Sequence, residues 1–106
     1  MEASALDPLL VRAEAELEAA LRGASLCSVS RDPAAGATTA KFLEGRWYTL
    51  RALQRGLASD PDDPGAVLEA VTADGNRSTP DGPAWADYAR GAASALDDFR
   101  ALMAGS

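Results

Sequence analysis

The stretch KFLEGRWYTLRALQRG, residues 41–56, decides how this chain folds. Wound as a helix at about 100° per residue, it and the turn that follows gather large apolar side chains on one face: Phe42, Leu43, Leu50, Leu53 and Leu57, with Trp47 at the edge. Arg46 projects from the middle of that face. The stretch therefore predicts an amphipathic helix that begins at Thr38 or Thr39, ends at Ala58 and directs one cation inward.

Arg46 needs an explanation because burying an unpaired guanidinium costs several kcal/mol. Three interpretations stay open: the charged head reaches water at the helix edge, pairs with a carboxylate inside the fold, or grips an anionic ligand. Glu14 is the best partner, since it flanks the apolar stripe of the first helix, and Asp97 is the second candidate.

Two further faces of this helix carry predictions. A stripe of small residues predicts that another helix backbone approaches closely, and its members are Gly45, Thr49, Ala52 and Gly56. The opposite flank is basic and tipped by an aromatic ring, with Lys41, Tyr48, Arg51 and Arg55. It is either a solvated face or a contact surface for an acidic partner, because interfaces favour Tyr and Arg.

The rest of the chain predicts three more helices. The first begins at Asp7 and Pro8 and ends at Gly23, and we interpret residues 24–37 as a loop. A short third helix has Asp63 as its N-cap and ends where the turn-rich residues 72–83 begin.

The fourth helix, from Pro83 to about Met103, shows the strongest amphipathic pattern in the chain. Its apolar face holds Trp85, Tyr88, Ala89, Ala92, Leu96, Phe99 and Met103. Its polar face holds Asp87, Arg90, Ser94, Asp97 and Asp98.

Together these elements predict an all-α fold over residues 1–106: a single domain, built as a small antiparallel bundle of three long helices and one short helix. Leu, Val and Phe supply only 19 of the 106 residues and Ile none. Such a thin core favours association, so we predict a homodimer whose seam is the small-residue stripe or the face of the fourth helix.

The amino-acid composition limits the metal-binding and catalytic chemistry that we expect of this chain. Histidine is absent and Cys27 is the single cysteine, which removes the commonest metal ligand and general base, so we predict no metal and no cofactor. The lone cysteine, the absence of a secretion leader and the absence of an apolar run of about 18 residues predict a soluble, cytoplasmic protein with no membrane partner. The preference for Ala and for Arg over Lys indicates a high-GC bacterial coding bias.

Charge is distributed unevenly. The chain carries a net charge of −6, which argues against nucleic acid as a partner. Residues 41–55 nevertheless hold four cations and one acid, for a net +3, which leaves −9 on the remainder.

Three functional hypotheses follow. The first is a non-enzymatic interaction module, an accessory subunit or adaptor that binds a protein partner through the basic helix 39–58. The second is a ligand-binding or catalytic bundle in which Arg46 grips an anion while Glu14 or Asp97 acts as acid or base; it requires Arg46 to face open space without a carboxylate partner. The third, a DNA-binding regulator, is disfavoured by the net charge.

Overall fold

In the computed structural model, which describes residues 1–27, 33–78 and 82–105, the chain is helical along most of its length. A short 3-10 helix, Ala3–Leu6, leads into four α-helices: α1 (Asp7–Cys27), α2 (Pro33–Ser59), α3 (Pro64–Ser78) and α4 (Pro83–Gly105). No strand occurs in these ranges. The all-α prediction is confirmed.

The predicted loop at residues 24–37 is wrong at both ends. Helix α1 continues past Gly23 to Cys27, and α2 begins at Pro33, several residues before Thr38. Pro33 suits a first helical position because its missing N–H would have no partner there. The centre of the predicted loop, residues 28–32, lies outside the described residues.

The start of α3 agrees with the sequence and its end does not. The Asp63 carboxylate accepts a hydrogen bond from the backbone N–H of Ala66 at 3.1 Å, which is the predicted N-cap. Residues 72–78, predicted as loop, are helical. Within them the Thr72 hydroxyl donates to the carbonyl of Leu68 at 2.7 Å, so its polar group is satisfied inside the helix.

Helix α2 lies at the centre of the molecule and contacts every other helix. Its residues Leu50, Leu53 and Leu57 are fully buried, and they share one core cluster with Leu6 and with Phe99 of α4. The apolar face predicted for the 41–56 stretch is therefore the face that builds the core.

Two glycines let the backbones of α2 and α4 touch. A Cβ atom at Gly45 would overlap the carbonyl of Tyr88, and one at Gly91 would overlap the carbonyl of Phe42. On the same stripe of α2, a Cβ at Gly56 would lie 2.6 Å from Val67 of α3. The small-residue stripe thus brings helices together inside one chain, which occupies one of the two seams that we predicted for a homodimer.

The direction of α4 differs from the antiparallel packing predicted. Contacts with α2 advance the same way along both helices, from the pair Lys41 and Trp85 to the pair Arg46 and Asp98. Helices α2 and α4 therefore run parallel, because α3 reverses the chain between them.

Helix α1 packs on another side of α2. The side-chain amide of Gln54 donates to the carbonyl of Ala3 at 3.2 Å and to the carboxylate of Asp7 at 2.6 Å, which fixes the start of α1 near the end of α2. Among the residues described, no helix has the length and apolar character needed to cross a membrane.

Candidate functional site

Arg46 points inward, as predicted, and pairs with a carboxylate. Its side chain is only 14% exposed, and its guanidinium lies 2.6 Å from the carboxylate of Asp98. A second nitrogen of the same group donates to the hydroxyl of Ser94 at 3.1 Å. Both partners belong to α4, so Arg46 joins α2 to α4 through a charge-assisted hydrogen-bond pair.

The two carboxylates predicted for Arg46 lie elsewhere. Asp97, one residue before the true partner, is 75% exposed and pairs with Arg100 at 2.9 Å. Glu14 borders a depression between α1 and α2 beside Trp47 and Arg51. The ligand-binding or catalytic hypothesis required Arg46 to lack a carboxylate partner, and Asp98 supplies that partner. Arg46 therefore pairs with neither of the two predicted carboxylates, Glu14 and Asp97.

A cleft opens on the other side of the α2–α4 contact, beneath α3. We name it the α3 cleft; its volume is about 430 Å³. Its walls are Tyr48, Thr49, Ala52 and Arg55 from α2, residues 71, 72 and 74–76 from α3, and Trp85, Tyr88, Ala89, Ala92, Ala93 and Leu96 from α4. Arg46 is not among them.

The α3 cleft exists because α3 packs tightly only near its start. Val67, in its first turn, is 6% exposed and fits against Gly56. Beyond Val71 the helix presents short or polar residues to the cleft, among them Thr72 and Gly75. The second half of α3 therefore leaves space above the α2–α4 pair.

Much of the apolar face predicted for α4 lines this space. The buried stripe of α4 is Asp87, Gly91, Ala95 and Phe99, so the helix is rotated from the orientation that its apolar pattern predicts. Of the predicted face, Phe99 enters the core, whereas Trp85, Tyr88, Ala92 and Leu96 border the cleft. An apolar helix face that is only partly covered is a feature of binding grooves.

Three members of the predicted basic flank follow one edge of α2 beside the cleft. We call this the α2 edge: Lys41, Tyr48 and Arg55, spaced seven residues apart. The Tyr48 ring is 52% exposed, and Arg55 is exposed with no ion pair among the described residues. Lys41 forms an ion pair with Glu44 at 3.0 Å and lies 4.6 Å from the centre of the Trp85 ring.

Arg51, the fourth member of that flank, lies on the side of α2 nearer α1. Its guanidinium lies 4.9 Å from the centre of the Trp47 ring, and both residues border the depression between α1 and α2. A cation above an aromatic face is stabilised by the ring's quadrupole. The predicted flank is thus divided into the α2 edge and a separate Arg51–Trp47 contact.

Tyr88 contributes a phenol group to the wall of the cleft. Burial raises the pKa of its phenol above the ordinary 10.0, and the nearby Tyr48 and Glu44 raise it further, while Lys41 lowers it. The phenol is therefore neutral at physiological pH, and the wall that it forms can donate a hydrogen bond but carries no charge.

Sequence reasoning missed Asp98, Ser94 and the whole contribution of α3. Asp98 and Ser94 were assigned to the outer face of α4, and no local signal gives the rotation that turns them toward Arg46. The α3 wall was missed because residues 72–78 contain Gly75 and turn-forming polar residues. Within the described ranges, no group of three or more His, Cys, Asp or Glu residues could hold a metal ion.

Comparison of the chain with protein-family models, with curated proteins and with solved structures finds no match in any of the three.

Proposed function

We propose that this protein is a non-enzymatic helical interaction module, an accessory subunit or adaptor that binds an acidic surface of a protein partner through the α2 edge. The observation that carries the proposal is the half-exposed Tyr48 on the same edge of α2 as Arg55, a cation two helical turns further along with no ion pair among the described residues. The core is built by the opposite face of α2, so neither residue is needed to fill it.

Physical chemistry supports this surface as a contact. Tyr and Arg dominate the residues whose truncation weakens protein interfaces, because each buries a large area and keeps a directional polar group. A carboxylate from a partner would pair with Arg55, and burying Tyr48 would remove an exposed ring from water. Arg55, whose charge no carboxylate of the described residues meets, favours approach of an acidic partner.

Three finer features belong to the same proposal. We place the helices in one small bundle around α2, on the support of its contacts with α1, α3 and α4. We propose a homodimer, supported by the small number of large buried side chains, with a seam other than the small-residue stripe. A bacterial cytoplasm fits the Arg-rich composition and the single cysteine.

The test compares matched variants in affinity capture. Tagged wild-type protein, the double variant Tyr48→Ala/Arg55→Glu and the control Arg51→Glu are incubated with an extract of the source cells. Each variant is first checked for helicity by circular dichroism. We expect wild type and the control to recover the same specific protein. The double variant should recover at least about tenfold less of it.

Purified partner is then titrated against the same three proteins by calorimetry. Equal affinity for wild type and the double variant would overturn the proposed surface. Failure of the wild type to retain any specific protein would count against the module itself.

A further inference from the structure

The α3 cleft has the dimensions of a small-molecule site. Its volume of about 430 Å³ lies within the range of about 300–1,000 Å³ typical of ligand pockets. It is partly open to solvent, so a ligand can enter without separation of the helices. Three of the four tyrosine and tryptophan rings of the chain border it.

The walls favour a flat apolar body. The rings of Trp85 and Tyr88 lie 5.4 Å apart, tilted by 59°. Ala52 on α2, and Ala92 further along the same face of α4, are small and leave the width that a ring system needs. Covering these surfaces would remove the exposed part of the apolar face of α4 from water, which is the main driving force for such binding.

Charge at the cleft selects an anion. Arg55 and Asp74 are the two ionised groups in its wall. Asp74 lies 3.5 Å from the guanidinium of Arg77 on its own helix, whereas Arg55 has no ion pair among the residues described. No described carboxylate meets the positive charge of Arg55, whereas the negative charge of Asp74 is offset in part by Arg77.

We propose that the α3 cleft binds a small organic anion: an aromatic or other flat apolar body that carries one acidic group, with the body against Trp85 and Ala92 and the acidic group on Arg55. The proposal does not rest on the interaction module. Because Tyr48 and Arg55 belong to both surfaces, a ligand in the cleft competes with a protein partner on the α2 edge.

Two dyes of similar shape and different charge test this proposal. Anilinonaphthalene sulfonate is a flat apolar anion, and N-phenylnaphthylamine is its neutral counterpart. Each is titrated into the full-length protein, with dye fluorescence and quenching of tryptophan emission as readouts. We expect saturable binding of both dyes with one site per chain.

Variants separate the roles of charge and shape. Arg55→Gln should lower the affinity for the sulfonate dye by about threefold to tenfold and change the affinity for the neutral dye by no more than about twofold. Arg51→Gln should change neither affinity by more than about twofold. Asp74→Asn removes the negative charge from the cleft wall and should raise the affinity for the sulfonate dye. Ala92→Phe, and Ala89→Phe at a more exposed wall position, should abolish binding of both dyes by filling the cleft.

The opposite results overturn the proposal. Absence of saturable binding by both dyes, or binding that survives both phenylalanine variants while their helicity is native, would exclude the cleft as the site. Equal weakening of the two dyes by Arg55→Gln, or no weakening of either, would exclude the anion preference.

Discussion

At the scale of single residues, Arg46 shows how a charged side chain can lie in a helical core when a carboxylate pairs with it. Its side chain is 14% exposed. Its guanidinium forms an ion pair with Asp98 and donates a further hydrogen bond to Ser94. Asp98 keeps a 41% exposed side chain, so the pair lies at the border between core and solvent. Such a pair supports the stability of the fold mainly because each partner saves the other from being a partly buried, uncompensated charge.

Replacing Arg46 by leucine should destabilise the fold. Arg46→Leu leaves Asp98 without its cation, and we expect a loss of about 1–3 kcal/mol in the free energy of unfolding, discounted for the exposure of Asp98. Chemical denaturation followed by circular dichroism measures it. Arg46→Leu combined with Asp98→Leu should recover most of the loss, and Arg51→Leu should change stability by no more than about 0.5 kcal/mol. An unchanged unfolding midpoint in Arg46→Leu would show that the pair is not structural.

Tyr88 should make stability fall at alkaline pH. Burial raises the pKa of its phenol above 10.0 in the folded state, so between that value and the folded-state pKa the folded chain binds more protons than the unfolded chain. Stability is therefore complete below the unfolded value and is lost as the pH rises through this window. Urea unfolding measured from about pH 9 to about pH 11 should show that the free energy of unfolding falls less in Tyr88→Phe than in Tyr48→Phe. Identical pH profiles for these two variants would contradict the assignment.

At the scale of elements, α4 marks the limit of what the sequence predicts. Its helical period and its start at Pro83 can be read from spacing and turn chemistry. Its rotation cannot, because Gly91 allows α2 to approach a stripe that also contains Asp87. The inward direction of Arg46 was predictable from α2 alone, whereas its partner depended on that rotation.

The length of α3 was underestimated for a related reason. Thr72, Gly75 and the polar residues after them have low helix propensity in isolation. In the folded chain they continue a helix that Asp63 caps and Val67 anchors against Gly56. The α3 cleft therefore could not be predicted, since one of its walls was assigned to a loop.

Alanine at Gly45 should separate α2 from α4. The added Cβ would overlap the carbonyl of Tyr88, and we expect a net loss of about 1–3 kcal/mol despite the better helix propensity of alanine. Gly75→Ala, whose Cβ would meet nothing within 4 Å, should instead stabilise the fold by about 0.5–1 kcal/mol. Thermal unfolding of the two variants gives the comparison. A stabilised Gly45→Ala would show that the two backbones do not touch.

At the scale of the whole molecule, α2 divides the surface into regions with different roles. Its 27 residues span about 40 Å at about 1.5 Å per residue, most of the 49 Å long axis of the molecule. One side holds the core and the Arg46–Asp98 pair, and another, beside α1, holds the Arg51–Trp47 contact. The α2 edge and the α3 cleft form a third, partly exposed region, which is where we propose binding.

Site-specific photocrosslinking tests the α2 edge as the partner surface most directly. Benzoylphenylalanine is placed at position 48 and, as a control, at the 69% exposed Val11 on α1. After irradiation in the source cells, covalent adducts are identified by mass spectrometry. We predict that position 48 yields an adduct with the protein recovered by affinity capture and that position 11 does not. An adduct with that protein from position 11 and none from position 48 would contradict the account.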